Sequence, residues 1–162
     1  MIETERELFV ETLRELLTIE RELEDYLAGL AAAATDEDLS SYFDAHAETT
    51  TEQIARLETI FAGLENADEA PRESEVLAAI VAAHDDRRQD FQDPNLADRL
   101  TAETGREIER LELTKLETLR SLASRLDLPT EVVDPLETTQ TEVENGLERL
   151  QSWSNLETSR PR

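Results

Sequence analysis

The chain has 162 residues and a formal charge of −23, because 39 acidic side chains face only 16 basic ones. This length suits one domain with a sizeable core. The acidity excludes direct binding to nucleic acid or to an anionic membrane surface, since both need clustered Lys and Arg. The longest apolar runs, Ala28–Ala34 and Val76–Ala83, are far shorter than the roughly 20 residues of a membrane-spanning helix.

The scarcity of lysine and the absence of cysteine indicate the environment of the protein. Lys115 is the only lysine, and threonine is frequent. With the strong acidity, this composition is typical of proteins adapted to molar salt, in which screening weakens carboxylate repulsion. The chain contains no cysteine, and Met1–Glu11 has no apolar stretch of the kind found in signal peptides. We therefore expect a cytoplasmic protein of a salt-adapted cell, with an ordinary acidic protein as the alternative.

The first half of the chain predicts a pair of helices. Glycine and proline are sparse, and apolar residues recur at helical spacing, which favours a nearly all-helical protein. The first helix is predicted from Glu3 to Ala34. Thr35 then serves as an N-cap, with Asp38 at the third position, and opens a second helix toward Leu64.

The second half predicts a linker, a short helix and another pair. Each helix of that pair opens with an Asp-Pro dipeptide, in which aspartate caps and proline takes the first position. The predicted segments are a linker at Glu65–Glu73 and helices at Glu75–Phe91, Pro94–Asp127 and Pro135–Trp153. Residues 1–153 are thus expected to form a single domain, and residues 154–162 a flexible tail.

Two helical hairpins joined by one long crossover are the connectivity of ferritin-like proteins. The sequence therefore predicts an all-α, ferritin-like four-helix bundle with a short extra helix in the crossover. This connectivity alone is a moderate signal, since other bundles also use long crossovers.

The apolar stripe of each long helix shows what the bundle core contains. In three of the four stripes, polar residues interrupt the middle. The stripes are Phe9, Leu13, Leu16, Glu20, Leu23, Leu27 and Leu30; Leu39, Phe43, His46, Thr50, Gln53, Leu57, Ile60 and Leu64; Asp98, Ala102, Gly105, Glu109, Glu112, Leu116, Leu119, Ala123 and Leu126; and Leu136, Thr139, Val143, Leu147 and Leu150.

The polar centres are predicted to meet at one height. Closing the first hairpin brings Glu20 level with Thr50, and closing the second brings Glu112 level with Glu144. A buried ionised carboxylate costs several kcal/mol unless it is paired or bound to a cation, and a metal ion relieves repulsion among carboxylates. The candidate metal ligands are Glu20, His46, Glu109, Glu112 and Glu142.

Each candidate also has a simpler interpretation. Glu20 could pair with an arginine such as Arg110, His46 could be a hydrogen-bonded interior residue, and Glu109 and Glu112 could lie on a solvated face. His84, in the crossover helix, is predicted to be a surface residue.

Four segments resemble the YciF/YciE ferritin-like stress-protein family, over Leu8 to about Leu150. Leu13–Arg21 resembles the family's first-helix segment, with Glu20 on its glutamate. His46–Glu58 resembles His-x-Glu-Glu-Thr-x-x-Gln-x-x-Arg-Leu-Glu, and Ile108–Glu112 resembles Val-Glu-His-Tyr-Glu. Thr118–Ala123 resembles Thr-Leu-x-x-Leu-Ala, and Asp98 falls on a family aspartate.

The departures from the family pattern occur at the residues of the implied metal site. Thr49 and Arg110 stand where the family has a glutamate and a histidine, and only Glu142 remains of an acidic run in the last helix. No Glu-x-x-His pair occurs, although di-iron bundles use such pairs. The resemblance implies an iron or manganese site linked to stress and a homodimer, with no organic cofactor.

Because ligands are missing, we expect a weak or mononuclear site and no catalytic residue. Ferroxidase or peroxide-consuming activity is the strong form of this hypothesis. The alternative is a structural or interaction bundle in which Arg–carboxylate contacts replace the metal.

Overall fold

The computed structural model describes residues 1–159, with side chains through residue 155. It contains five α-helices: α1 (Glu5–Ala33), α2 (Glu37–Gly63), α3 (Glu75–Arg88), α4 (Pro94–Arg125) and α5 (Thr130–Ser159). No strand occurs in this part of the chain. None of its helices is both long and apolar enough to cross a lipid bilayer. The all-α prediction is confirmed.

The long helices form a four-helix bundle from two hairpins. Helix α1 packs on α2 and α4 packs on α5, and the two hairpins meet through α2–α5 and α1–α4 contacts. Helix α3 lies in the crossover and packs against α4. The predicted arrangement, including the extra crossover helix, is therefore confirmed.

The connection between α1 and α2 differs by one residue from the prediction. Asp36, not Thr35, caps α2, and its side chain accepts from the Leu39 N–H. The reason lies in α4, where buried Asp98 accepts from the backbone N–H groups of both Thr35 and Asp36 at 2.9 and 2.8 Å. This contact ties the first hairpin to the second.

Helix α5 is longer than predicted at both ends. It begins at Thr130, so Pro135 lies inside the helix rather than at its start. The Pro129 carbonyl accepts from Val132 and Val133 and starts the first turn. Burial of Val132 in the core then favours an early start over the lost N–H of Pro135. The helix continues past Trp153, so the predicted tail is helical to Ser159, and residues 160–162 lie outside the described part.

The core is divided into two apolar clusters, one on each side of a polar layer. One contains Phe9, Leu13, Leu57, Leu116 and Leu136 among others, and the second contains Ile19, Leu23, Leu39, Phe43 and Leu150 among others. All predicted stripe residues are buried except three half-buried ones: Leu64, Leu126 and Leu147. The predicted polar centre between apolar ends is confirmed.

His84 is buried, contrary to the prediction of a surface residue. It lies two turns after buried Leu77 on the face of α3 that packs on α4. Its Nε2 is 3.2 Å from the Thr101 hydroxyl, and its ring meets Tyr26 edge-on. The docking of α3 therefore depends on a histidine as well as on leucine.

Candidate metal centre

Four of the five predicted ligands meet in the polar layer of the bundle. Glu20 comes from α1, His46 from α2, and Glu109 and Glu112 from α4, where a spacing of three places them on one face. Their exposed fractions are 0%, 9%, 1% and 0%. The alternative of a solvated face for Glu109 and Glu112 is therefore wrong.

His46 lies between the two α4 carboxylates. Its Nδ1 is 2.7 Å from Glu109 Oε1, and its Nε2 is 3.5 Å from Glu112 Oε1. One ligand atom from each of these three residues can be chosen so that all lie within 4.8 Å of one another. These three residues are therefore close enough to be candidate ligands of one cation.

The carboxylates of this layer are strongly perturbed. Burial, followed by the charge of Glu112, raises the pKa of Glu20 well above its usual value. Burial also raises the pKa of Glu112; a hydrogen bond with Glu20 lowers it in part, and the charge of Glu109 adds to the increase. Without a metal ion, the cluster must therefore retain protons on carboxyl groups that would be ionised in water at neutral pH.

The pKa values of the two neighbouring groups, His46 and Tyr42, are also raised. Burial lowers the pKa of His46, but the charge and hydrogen bond of Glu109 raise it more, so the net shift is upward. Burial and then the charge of Glu109 raise the pKa of Tyr42 well above its usual value. Tyr42 thus stays a neutral phenol, and its hydroxyl donates to Glu109 Oε1 at 2.7 Å.

Several buried carboxylate oxygens of the cluster accept no hydrogen bond from an N–H or hydroxyl group and are therefore available to a cation. In the described part of the chain, no N–H or hydroxyl group donates to either oxygen of Glu20, to either oxygen of Glu112 or to Oε2 of Glu109, all of which are buried. Such atoms are costly in an apolar core unless a proton or a metal ion compensates them. Glu20 and Glu112 contact each other and can share a proton. One imidazole with up to three carboxylates is a donor set that suits divalent iron or manganese.

Glu142 does not join the cluster, although it lines the same cavity as His46 and Glu109. Its two oxygens accept from the two terminal nitrogens of Arg56 on α2, and Gln53 also donates to it at 3.3 Å. This bidentate pair already neutralises the carboxylate.

Arg110 lies on an exposed face of α4, so the alternative in which this arginine pairs with Glu20 is not found. No arginine or lysine is among the hydrogen-bond and salt-bridge partners of Glu20, Glu109 or Glu112. Within the described residues, Glu142 is thus the one candidate ligand that pairs with an arginine, at the edge of the site.

Helix α5 faces the cluster with a glycine instead of a ligand. A Cβ atom on Gly146 would lie 3.1 Å from Glu109 Oε1 and 3.3 Å from its Cδ. A cavity of about 200 Å³ reaches His46 and Glu109 on this side and is also lined by Thr49 and Gly146. The room for the Glu109 carboxylate therefore depends on the missing side chain of α5.

Tyr42 and Gly146 are site residues that the sequence analysis missed. Tyr42 lies one turn before His46, on the same face of α2, and this spacing could have indicated a partner for the site. Gly146 is one of only four glycines in the chain, and its position in the middle of a helix was a signal for a close contact.

The fold and the buried cluster define the class: a ferritin-like helical bundle with carboxylate and histidine side chains in its core. The chain belongs to the DUF892 family, a domain of unknown function, whose model matches residues 4–160. The stress protein YciF of E. coli has a similar structure, with a TM-score of 0.92 and 21% identity over 99% of this chain and 100% of that one.

A second solved structure has the same fold. YcfI from Rhodopseudomonas palustris matches with a TM-score of 0.88 and 23% identity, over 93% of this chain and 94% of that one. No curated protein matches the sequence significantly. The resemblance to the YciF family that the motifs indicated is thereby confirmed.

Proposed function

We propose that this protein is a ferritin-like, stress-associated protein that binds one divalent iron or manganese ion in the bundle core. His46 and Glu112 would hold the ion, with Glu20 as a further donor from α1 and Glu109 beside His46. When bound, the ion supplies the positive charge that the cluster needs, and the chain supplies a buried site. The observation that carries the proposal is the set of buried carboxylate oxygens around His46 to which no N–H or hydroxyl group donates.

The experiment is a metal titration of chelator-treated protein in molar KCl, followed by elemental analysis. We expect about one iron or manganese ion per chain in the wild type. Glu112→Gln should lower the affinity at least tenfold, because it removes a charged ligand atom from a buried site. Glu144→Gln is the matched control, since Glu144 is exposed two residues from Glu142 on α5.

A variant of Glu142 tests whether this residue is a metal ligand, as the sequence predicts, or only the partner of Arg56, as the structure indicates. Because its carboxylate is bound by Arg56, Glu142→Gln should retain most of the metal affinity. Less than a tenth of an ion per wild-type chain after reconstitution contradicts the proposal.

The second candidate function is a structural bundle without a metal, and the Arg56–Glu142 pair favours it. There the carboxylate nearest the cluster on α5 is neutralised by an arginine. In that case protons alone stabilise Glu20 and Glu112, and metal addition leaves the thermal unfolding midpoint unchanged. The metal-binding hypothesis predicts a higher midpoint that depends on metal concentration.

The stress role and the assembly are proposals that rest on resemblance. YciF is described as a stress protein, so we propose that the level of this protein rises under osmotic or oxidative stress. We also propose a cytoplasmic homodimer. Quantitative immunoblotting and light scattering in molar salt test the two proposals, and an unchanged level or a monomeric mass contradicts them.

A further inference from the structure

Tyr42 connects α2 to the centre of the cluster. It is buried, and its hydroxyl donates to Glu109 Oε1 across the helix interface at 2.7 Å. The ring is fixed by edge-on contacts with Phe43 and His46 and by the Arg149 guanidinium, 5.5 Å from its centre. A rigid ring of this kind holds its hydroxyl in one place.

The bond from Tyr42 decides which oxygen of Glu109 is free. Oε1 is also 2.7 Å from Nδ1 of His46, so this one oxygen lies between a phenol and an imidazole nitrogen. The other oxygen, Oε2, has no partner. Glu109 is therefore held through Oε1 alone, beside Nδ1 of His46.

The same contact decides which nitrogen of His46 is free. Because a carboxylate oxygen accepts, we assign the hydrogen of this 2.7 Å contact to Nδ1. The opposite nitrogen, Nε2, then faces Glu112 Oε1 at 3.5 Å. Metal-bound histidines commonly have this arrangement, with the second ring nitrogen donating to a carboxylate.

We propose that Tyr42 is a positioning residue of the metal centre, which holds Glu109 Oε1 against His46 Nδ1 so that His46 Nε2 faces the cation. This inference rests on the proposed function. Tyr42 itself is not a ligand in this account, because its hydroxyl is used by Glu109.

The test compares Tyr42→Phe with wild type and with Tyr26→Phe. Tyr42→Phe keeps the ring and removes only the donor. Tyr26 is the only other tyrosine, and its hydroxyl has no hydrogen-bond partner, so Tyr26→Phe is the matched control. Mn²⁺ affinity is measured by equilibrium dialysis, and the ring-nitrogen protons are observed by NMR in metal-free protein, where only two histidines contribute.

We expect Tyr42→Phe to bind Mn²⁺ 10–100-fold more weakly, the range found when an outer partner of a metal ligand is removed. The wild type should show a low-field, slowly exchanging Nδ1–H signal from His46 that exchanges faster in Tyr42→Phe. Tyr26→Phe should change neither. Wild-type affinity in Tyr42→Phe, or an unaltered imidazole signal, overturns the proposal.

The two measurements also separate this inference from the proposed function. If the wild-type protein binds no metal, the proposed function fails, and the imidazole signal of the metal-free protein alone decides whether Tyr42 orients the Glu109–His46 pair. If the wild type binds Mn²⁺ and Tyr42→Phe matches it, only the role of Tyr42 fails.

Discussion

Glu20 shows how a single side chain couples the site to stability. It is fully buried, it contacts the carboxyl group of Glu112, and its pKa is raised by burial and by Glu112. In an unfolded chain the same carboxyl group ionises near its ordinary value. The folded, metal-free protein therefore holds protons that the unfolded chain releases.

The sign of the resulting pH dependence is the same for three residues. The pKa values of Glu20, Glu112 and His46 are all raised in the folded state. The folded state then binds more protons, so the free energy of unfolding falls as pH rises above the unfolded values and through the folded ones. We expect the metal-free protein to lose stability between about pH 5 and pH 8.

Glu20→Gln tests this explanation. The variant removes one group whose ionisation opposes folding, so the metal-free protein should be about 1 kcal/mol more stable than wild type at pH 8. The advantage should disappear at pH 5, where Glu20 is protonated. Urea unfolding measures it, with exposed Glu22→Gln as the control. A wild-type pH profile in Glu20→Gln contradicts the account.

At the scale of elements, the four long helices contribute unequally to the site. Helices α1, α2 and α4 supply side chains to the cluster, whereas α5 supplies the space beside Gly146 and the carboxylate that Arg56 binds. The described part of the site is thus a three-helix arrangement within a four-helix bundle. The cavity of about 200 Å³ lies along the α5 side.

Gly146→Ala tests the role of α5. A Cβ atom 3.1 Å from Glu109 Oε1 forces that carboxylate to move, so we expect metal affinity to fall several-fold. Gly29→Ala is the control, because a Cβ at Gly29 meets nothing within 4 Å. It should stabilise α1 by about 0.5–1 kcal/mol through helix propensity alone. Equal effects of the two variants on metal affinity and on the free energy of unfolding contradict this role.

The helical stripes were predictable because burial in a bundle repeats every three to four residues, and this repeat is written directly in the sequence. Glu20 and Glu112 were found in this way, as polar interruptions of an apolar stripe. The height at which they meet followed from the two hairpins alone. The residues of the polar layer could therefore be predicted without knowledge of side-chain contacts.

The remaining errors come from contacts between elements. Glu142 was expected to join the cluster, but its partner Arg56 lies 86 residues away on α2. Asp98 fixes the cap of α2 from a distance of 62 residues in the chain. Pro135 was taken as a helix start, although burial of Val132 extends the helix before it. Periodicity within one helix contains no information about such pairs.

At the scale of the whole molecule, the formal charge of −23 opposes compaction. Most acidic residues are exposed, and at low ionic strength their repulsion acts over a Debye length of about 10 Å at 0.1 M salt, against about 3 Å at 1 M. The few basic partners form surface ion pairs such as Lys115–Glu15 at 2.8 Å, which contribute little each.

We therefore expect the urea midpoint of unfolding to rise steadily between 0.1 and 2 M KCl. The initial rise comes from screening, and further stabilisation at high salt agrees with a salt-adapted protein. Metal-free and metal-loaded proteins should show the same trend, because the surface charges are common to both. A midpoint that is constant or falls with KCl contradicts the salt-adapted interpretation.

The proposed cation site lies in the polar layer beside His46, Glu109 and Glu112. The most direct measurement is the anomalous X-ray scattering of crystals of the protein loaded with Mn²⁺ in molar KCl. The account predicts one strong peak per chain inside the bundle, within bonding distance of His46 Nε2 and of a Glu112 oxygen. An empty polar layer, or manganese bound only at surface carboxylates, would contradict it.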